Sequence, residues 1–89
     1  MEFDWDDGKR RSNLTKHGIE FGLVFPAFAD SKRVIFEDLR KDYGEVRINM
    51  LAKLDERIYH ITYTQRGTFT WLISARKANK REQKRYDKP

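Results

Sequence analysis

The sequence contains no cysteine, only two prolines, and no apolar run approaching the ~20 residues that span a bilayer. The absence of cysteine excludes disulfides, thiolate zinc sites and cysteine nucleophiles, and it fits a reducing compartment. The N-terminal residues 1–4 are acidic where a signal peptide would be basic. We therefore expect one small cytoplasmic domain, residues 1–89, with no membrane association.

Common enzyme signatures are also missing. The five glycines are scattered instead of forming a phosphate-binding loop, and no serine lies in a nucleophile elbow. The two histidines lie far apart in the chain, which is weak evidence for a metal site. We therefore expect neither a metal ion nor a cofactor.

What the sequence does contain is positive charge concentrated at one end. Residues 76–89 hold seven basic and two acidic residues, so the whole net charge of +5 lies there. Such a concentration favours a polyanion or an acidic protein as partner, although a solvated tail without a binding role would have the same composition. We predict that residues 79–89 form a basic C-terminal helix or tail.

The N-terminal part of the chain is predicted to be helical. Asp6 can cap a first helix from about Asp7 to His17, and Gly18 can end it in the left-handed conformation. Leu14 is the only apolar residue of this helix, so little of its surface needs burial. The side chains expected to face outward are Lys9, Asn13, Lys16 and His17.

A second helix is predicted from an apolar stripe that follows Ile19. Its members have the spacing of one buried helix face, and they are Phe21, Val24, Phe25 and Phe28. Pro26 is expected to kink or shorten this helix.

Strand patterns fill most of the remaining chain. The predicted strands are Phe3–Trp5 at an edge, then Arg33–Glu37, Val46–Leu54, Arg57–Arg66 and Thr68–Arg76. Short turns make the last three an antiparallel meander. We predict an α+β fold in the order β-α-α-β-β-β-β-α. It has an antiparallel sheet of four to five strands, two N-terminal helices on one face and a C-terminal helix, with Trp5 and Trp71 in the core.

The second face of the predicted sheet is polar and partly basic. The side chains that can share this face are Arg47, Arg66, Arg76, His60, Thr62 and Thr64. Arginine stays protonated and can bind two oxygens of a phosphodiester, so it suits the charge of a pentacovalent transition state. In RNA the nucleophile is the internal 2′-hydroxyl, and an RNA-cleaving site therefore needs no metal.

Three residues are candidates for the acid or base of such a reaction, and each has a simpler explanation. His17 precedes a helix-ending glycine, where a positive charge is favourable for electrostatic reasons alone. His60 can be a cross-strand packing residue, and Glu45 can simply pair with Arg47. Residue patterns alone leave open whether the protein is an enzyme or a binding module.

Several motifs occur in an order that resembles the BrnT family of type II toxins. They are Trp5-Asp6 followed by Lys9, Asn13 and Lys16–Ile19, then Asp42–Glu45 with Arg47, Tyr63–Gly67, and Ile73–Ala78 with Arg81, Glu82 and Tyr86. The chain is similar to this family over nearly its whole length. The resemblance implies a RelE-like fold and a metal-independent endoribonuclease that cleaves RNA and so arrests translation and growth. It also implies a cognate antitoxin, BrnA, of the ribbon-helix-helix type, in a 2:2 heterotetramer that represses its own operon through operator DNA.

The resemblance also indicates site residues. We predict as catalytic His17 and Glu45 (acid or base), Arg47 (phosphate contact), and Arg66 and Arg76 (transition-state charge). We predict as RNA-binding Lys9, Asn13, Lys16 and Lys77. Two positions depart from the family pattern, since Gln65 stands where a glutamate is usual and His60 where an aliphatic residue is usual. The alternatives are a non-catalytic RNA- or DNA-binding module, and a basic C-terminal segment that docks an acidic stretch of the antitoxin.

Overall fold

The computed structural model describes residues 1–88 and shows an α+β fold built on one five-stranded sheet. The strands are β1 (Glu2–Trp5), β2 (Val34–Glu37), β3 (Ile48–Leu54), β4 (Arg57–Arg66) and β5 (Phe69–Lys77), in the spatial order β1-β5-β4-β3-β2. The helices are α1 (Asp7–His17), α2 (Phe21–Val24) and α3 (Lys80–Asp87). The predicted α+β class is confirmed, and the order of elements matches except for an added 3-10 helix, Phe25–Ala29.

The sheet is mixed, so the predicted all-antiparallel arrangement is wrong at β1. Strands β2 to β5 pair antiparallel, whereas β1 runs parallel to β5, with Glu2 opposite Phe69 and Trp5 opposite Leu72. Parallel neighbours need a long crossover connection, and the chain between β1 and β5 supplies one. The edge position predicted for the first strand is confirmed.

Helix α1 has the predicted ends, but it does not lie on a face of the sheet with α2. The Asp6 carboxylate accepts from the backbone N–H of Lys9, and Gly18 adopts φ 69° at the C-cap. On its inner side, Asn13 donates to the carbonyl of Ala75 in β5 and accepts from the N–H of the same residue. Those backbone groups lie beyond the end of β1, so α1 covers the free edge of β5.

The second helix is short because Pro26 interrupts it, as expected. Helix α2 spans four residues and passes directly into the 3-10 helix, with Pro26 near the start of the latter. A proline lacks the N–H that would continue the α-helical ladder, so the change of helix type has a direct cause. The predicted core role of the stripe holds for Phe21, Val24 and Phe28, which pack in the core or against it, but it is wrong for Phe25, which is 40% exposed.

The core lies between these two helical turns and one face of the sheet. Its fully or almost fully buried members are Phe21, Val24, Ala27, Met50, Ala52, Ile61, Leu72 and Ala75. Trp5 packs against this cluster, with its ring 5.9 Å from that of Phe21, so its predicted core position is confirmed. Because one face of β3, β4 and β5 is covered in this way, the other face is left for polar residues.

A β-bulge in β5 places Trp71 on the polar face, where the simple alternation did not predict it. Thr62 pairs with Ser74, but the next residue of β4, Tyr63, pairs with Leu72. Ile73 is therefore an extra residue, and every side chain N-terminal to it in β5 changes face. Trp71 now stands opposite Thr64 and is only partly buried, so the prediction of a core tryptophan here is wrong.

The basic C-terminal segment forms helix α3. Of the two predicted alternatives, a helix or a tail, the structure shows the helix. Asn79 and Glu82 form a reciprocal capping box at its start. Near its end, the Tyr86 hydroxyl donates to the Asp30 carboxylate at 2.6 Å, and burial together with this carboxylate raises the pKa of Tyr86 to about 12. Pro89, the last residue of the predicted segment, lies outside the described residues. Within residues 1–88, every helix is too short or too polar to cross a membrane.

Candidate functional site

A cleft of about 480 Å³ opens between α3 and the polar face of the sheet. Its residues are His17, Phe36, Arg40, Asn49, Leu51, His60, Thr62, Ser74, Arg76, Arg81, Glu82 and Arg85. The buried ones, which form the floor, are neutral at pH 7, whereas the exposed ones, which form the rim, include three arginines. The cleft therefore combines a neutral floor with a cationic rim.

Arg76 is held at the side of the cleft by an acid from α3. Its two terminal nitrogens donate to the two carboxylate oxygens of Glu82, each at 2.8 Å. The Arg76 hydrogen bonds lower the pKa of Glu82, which also accepts from the backbone N–H of Asn79. This fork is the arrangement in which arginine also binds a phosphate, so Glu82 occupies the position that a phosphate would take.

His60 lies in the floor of the cleft beside Glu82 and is 8% exposed. Its Nε2 is 3.9 Å from the nearer Glu82 oxygen, and its Nδ1 has no hydrogen-bond partner among residues 1–88. Burial, and next the charge of Arg76, lower the pKa of the imidazole. His60 is therefore neutral at pH 7 and belongs to the neutral floor.

The exposed histidine, His17, joins this cleft to a second cavity on α1. That cavity has a volume of about 250 Å³ and is lined in part by Lys9, Lys16, His17 and Ser74. His17 and Ser74 also line the first cleft. The two cavities thus share a border at His17 and Ser74. Basic side chains line this pair of cavities from α1 to α3.

The other three predicted catalytic residues form a separate cluster. Arg66 donates through Nε and Nη2 to the Glu45 carboxylate at 3.3 and 3.2 Å, and Arg47 Nε lies 3.8 Å from the same carboxylate. The Arg66 guanidinium also stacks on Trp71, 4.8 Å from the ring centre. Arg66 lies six residues along β4 from His60, roughly 20 Å at ~3.4 Å per residue.

Arg47 is held in this second cluster mainly by stacking on an aromatic ring. Its guanidinium lies 4.0 Å from the ring centre of Tyr43, while its Nε is buried and without a hydrogen-bond partner in residues 1–88. The side chain is therefore stacked and held in place, with only a long contact to Glu45. The structure thus divides the predicted catalytic set into His17 with Arg76 and Glu45 with Arg47 and Arg66.

The loop between β2 and β3 supplies a rim arginine of the first cleft. Asp38 is buried, and it accepts from Arg40 through Nε and Nη2, each at 2.9 Å, and from the Tyr43 hydroxyl. The Arg40 hydrogen bonds hold the pKa of Asp38 well below its usual range. Asp38 is therefore ionised at neutral pH and fixes the position of Arg40.

The other two predicted RNA-binding residues differ in position, because Asn13 lines the cavity on α1 whereas Lys77 lines neither cavity. Asn13 is 4% exposed, and its amide also donates to the carbonyl of Ile19, so the expectation that it faces outward is wrong. Lys77 is exposed but lines a groove with Lys53 and Arg57, away from both cavities. Successive residues of a strand point to opposite faces, so Lys77 and Arg76 diverge.

Several residues of the cleft were missed by sequence analysis. Glu82 was noticed only as a motif position, although the spacing of Asn79 and Glu82 is a signal for a capped helix that begins there. Arg81 and Arg85 are four residues apart and share one face of α3, which their spacing also indicates. Asn49 carries no signal in the sequence, because only the pairing of β3 with β4 brings it beside Thr62.

Together, the mixed sheet, the arginine-rimmed cleft and the basic cavity on α1 define a small α+β domain with positively charged cavities, and such charge favours polyanions as ligands. A family model described as a ribonuclease toxin, BrnT, of a type II toxin–antitoxin system matches residues 5–82. The chain belongs to this family, as the motifs in its sequence indicated. A comparison with curated proteins found no match.

Proposed function

We propose that this toxin is a metal-independent endoribonuclease with a RelE-like fold, and that the cleft between α3 and the sheet is its reaction centre. The observation that carries the proposal is the meeting of His17 and Arg76 in one arginine-rimmed cleft, in a chain that belongs to a ribonuclease family. Arginine supplies fixed positive charge and paired donors to a phosphodiester. His17 supplies an exposed imidazole at the border of both cavities.

The proposed reaction is attack of the 2′-hydroxyl on the adjacent phosphorus. A bond forms between the 2′-oxygen and phosphorus while the bond from phosphorus to the 5′-oxygen breaks. His17 takes the 2′-proton while water protonates the leaving 5′-oxygen, or it gives a proton to the 5′-oxygen while water takes the 2′-proton. Arg76 stabilises the charge of the pentacovalent transition state. The products are a 2′,3′-cyclic phosphate and a 5′-hydroxyl end.

Lys9 and Lys16 are proposed to bind phosphates of the RNA beside the scissile one, because their cavity borders the cleft. The cluster of Glu45, Arg47 and Arg66 would then contact a more distant part of the strand on the same sheet face. Its distance from His60 and Arg76 supports this division of roles, in which only one end of the face carries the chemistry. Glu45, which holds Arg66, is a positioning residue in this scheme.

Neutralisation is proposed to follow from binding of BrnA, a ribbon-helix-helix-type antitoxin, in a 2:2 heterotetramer that represses the operon. The cleft-facing side of α3 is one surface that an acidic antitoxin segment would fit, since Arg81 and Arg85 line the cleft. A chain truncated before Asn79 that still binds the antitoxin would refute this placement.

Incubation of the purified protein with RNA in excess EDTA tests the reaction. Cleavage that leaves 2′,3′-cyclic phosphate and 5′-hydroxyl ends is expected, and strict dependence on added magnesium would contradict the mechanism. The second candidate function is non-catalytic binding of RNA or DNA, which the basic cavities alone would support. It predicts salt-dependent binding without cleavage and without growth arrest on expression.

A further inference from the structure

The floor of the cleft is unlike a phosphate site. Asn49, Leu51, His60 and Thr62 are all at least nine-tenths buried, and none is charged at pH 7. The arginines stand around this floor, with Arg40, Arg81 and Arg85 exposed at the rim. A phosphate would be bound by the rim, so the neutral, hydrogen-bonding floor needs a different ligand group.

Asn49 is the residue of the floor that is best oriented for recognition. The Thr62 hydroxyl donates to its Oδ1 at 2.8 Å, across the β3–β4 pair, and both side chains line the cleft. In this arrangement the amide oxygen is the end that faces Thr62. With Oδ1 engaged, the N–H donors of Nδ2 are what Asn49 offers to a ligand.

The wall of the cleft is aromatic. The Arg85 guanidinium lies 3.9 Å from the ring centre of Phe36, and the imidazole of His60 stands edge-on to the same ring, 6.3 Å between centres. Unpaired bases of RNA stack on aromatic rings and on guanidinium planes, and side-chain amides read their edges. The volume of about 480 Å³ lies within the ~300–1,000 Å³ range of small-molecule sites.

We infer that the cleft floor is a nucleobase subsite, in which Asn49 donates to one unpaired base while the rim arginines hold the flanking phosphates. The inference rests on the proposed function and deepens it, because it assigns base selection to the cleft that carries the reaction. Thr62 acts as a positioning residue, since its hydroxyl orients the amide. A neutral His60 keeps the floor uncharged and so keeps a phosphate out of it.

Titration of the ¹⁵N-labelled protein with the four nucleoside 3′-monophosphates, and separately with inorganic phosphate, tests the subsite directly. The Asn49 side-chain amide signals, assigned by through-bond correlation to its Cβ, are the readout. At least one nucleotide is expected to shift them, whereas inorganic phosphate at the same concentration is not. Equal shifts with phosphate, or no shift with any nucleotide, would overturn the inference.

A pair of matched variants tests the role of Thr62. Thr62→Val removes the hydroxyl with little change of shape, and we expect the ratio of the affinities for the best and worst nucleotide to fall about tenfold. Thr68→Val makes the same chemical change in an exposed turn and should keep the native ratio. An unchanged ratio in folded Thr62→Val would count against the subsite.

Neither readout needs cleavage, so the two proposals fail separately. A protein that shows the Asn49 shift but does not cleave RNA refutes the proposed reaction and supports the subsite. A protein that cleaves RNA without any base-dependent shift at Asn49 refutes the subsite and leaves the reaction in place.

Discussion

Both terminal nitrogens of the Arg76 guanidinium donate to the Glu82 carboxylate, each at 2.8 Å. The main cation of the cleft is thus already paired with an acid of the same chain. An RNA phosphate must take the place of Glu82 or share Arg76 with it, so binding of the substrate costs part of this ion pair. The contact therefore sets how strongly the empty cleft attracts a polyanion.

Glu82→Gln is expected to tighten RNA binding several-fold. The variant removes the competing charge, and it keeps the capping box because glutamine also serves at that position. The plot of log affinity against log salt should become steeper by about 0.7, the value for one more single-stranded phosphate contact. A 2′-O-methyl RNA, which cannot be cleaved, is the ligand for this measurement.

Glu37→Gln is the matched control, since it removes one negative charge at an exposed position of β2. It should raise affinity less than Glu82→Gln. Equal effects of the two variants would show that net charge alone, and not the Arg76 partner, controls binding.

His60 should make the protein less stable as the pH falls below about 6.5, the ordinary pKa of histidine. Burial and Arg76 lower the pKa of His60 in the folded state, so in this range the unfolded chain takes up a proton that the folded one does not. The contribution of His60 to the free energy of unfolding is fully present above pH 6.5. It is lost at up to ~1.4 kcal/mol per pH unit below that, until the pH reaches the lowered pKa of the folded state.

Urea denaturation at pH 7.5 and 5.5 measures this loss. The His60→Gln variant should lose much of the difference between the two pH values, whereas His17→Gln, at the exposed histidine, should retain it. The lowered pKa values of Asp38 and Glu82 act at lower pH, because their ordinary values are 3.8 and 4.5. A native-like pH dependence in His60→Gln would contradict the assignment.

Asn13→Ala is expected to lower the free energy of unfolding by about 3 kcal/mol. The amide makes three hydrogen bonds, two to Ala75 and one to Ile19, and each is worth roughly 1 kcal/mol before the cost of the unpaired backbone groups. Ser12→Ala, at an exposed neighbour, should stay within ~0.5 kcal/mol of the native protein. A small effect of Asn13→Ala in urea denaturation would show that α1 does not depend on this edge contact.

Lys9→Ala combined with Lys16→Ala should weaken binding of 2′-O-methyl RNA and lower the salt slope by about 1.4, which is two single-stranded phosphate contacts. Lys77→Ala is the control that separates the effect of a lysine's position from the effect of its charge, because Lys77 lies in another groove. Its effect should be smaller than half that of the double variant. An equal effect per lysine would indicate that RNA binds without regard to the cavity on α1.

Local signals in the sequence predicted the elements well. The bounds of α1 follow from a capping aspartate and a left-handed glycine, both of which act within a few residues. The alternation of β4 predicted its span, Arg57–Arg66, and the shared face of His60 and Thr62. These features depend on neighbouring residues, which is why a pattern can show them.

Long-range contacts could not be predicted in this way. Asn13 looked like a surface residue because its partner, Ala75, is 62 residues away in the chain. The bulge at Ile73 adds one residue to β5 without any glycine or proline to mark it. The sequence therefore predicted the wrong face of the sheet for Trp71. The division of the predicted catalytic residues into two clusters likewise depends on where along the sheet each strand begins.

The rate of RNA cleavage by Arg76→Ala tests the central claim most directly. Arg57→Ala, which removes an exposed arginine outside the cleft, is the matched control. With both variants folded, Arg76→Ala should cleave at least ~100-fold more slowly than the native protein, because loss of one transition-state donor costs about 10²–10³ in rate. Arg57→Ala should remain close to the native rate. Cleavage by folded Arg76→Ala within threefold of the native rate would contradict the account.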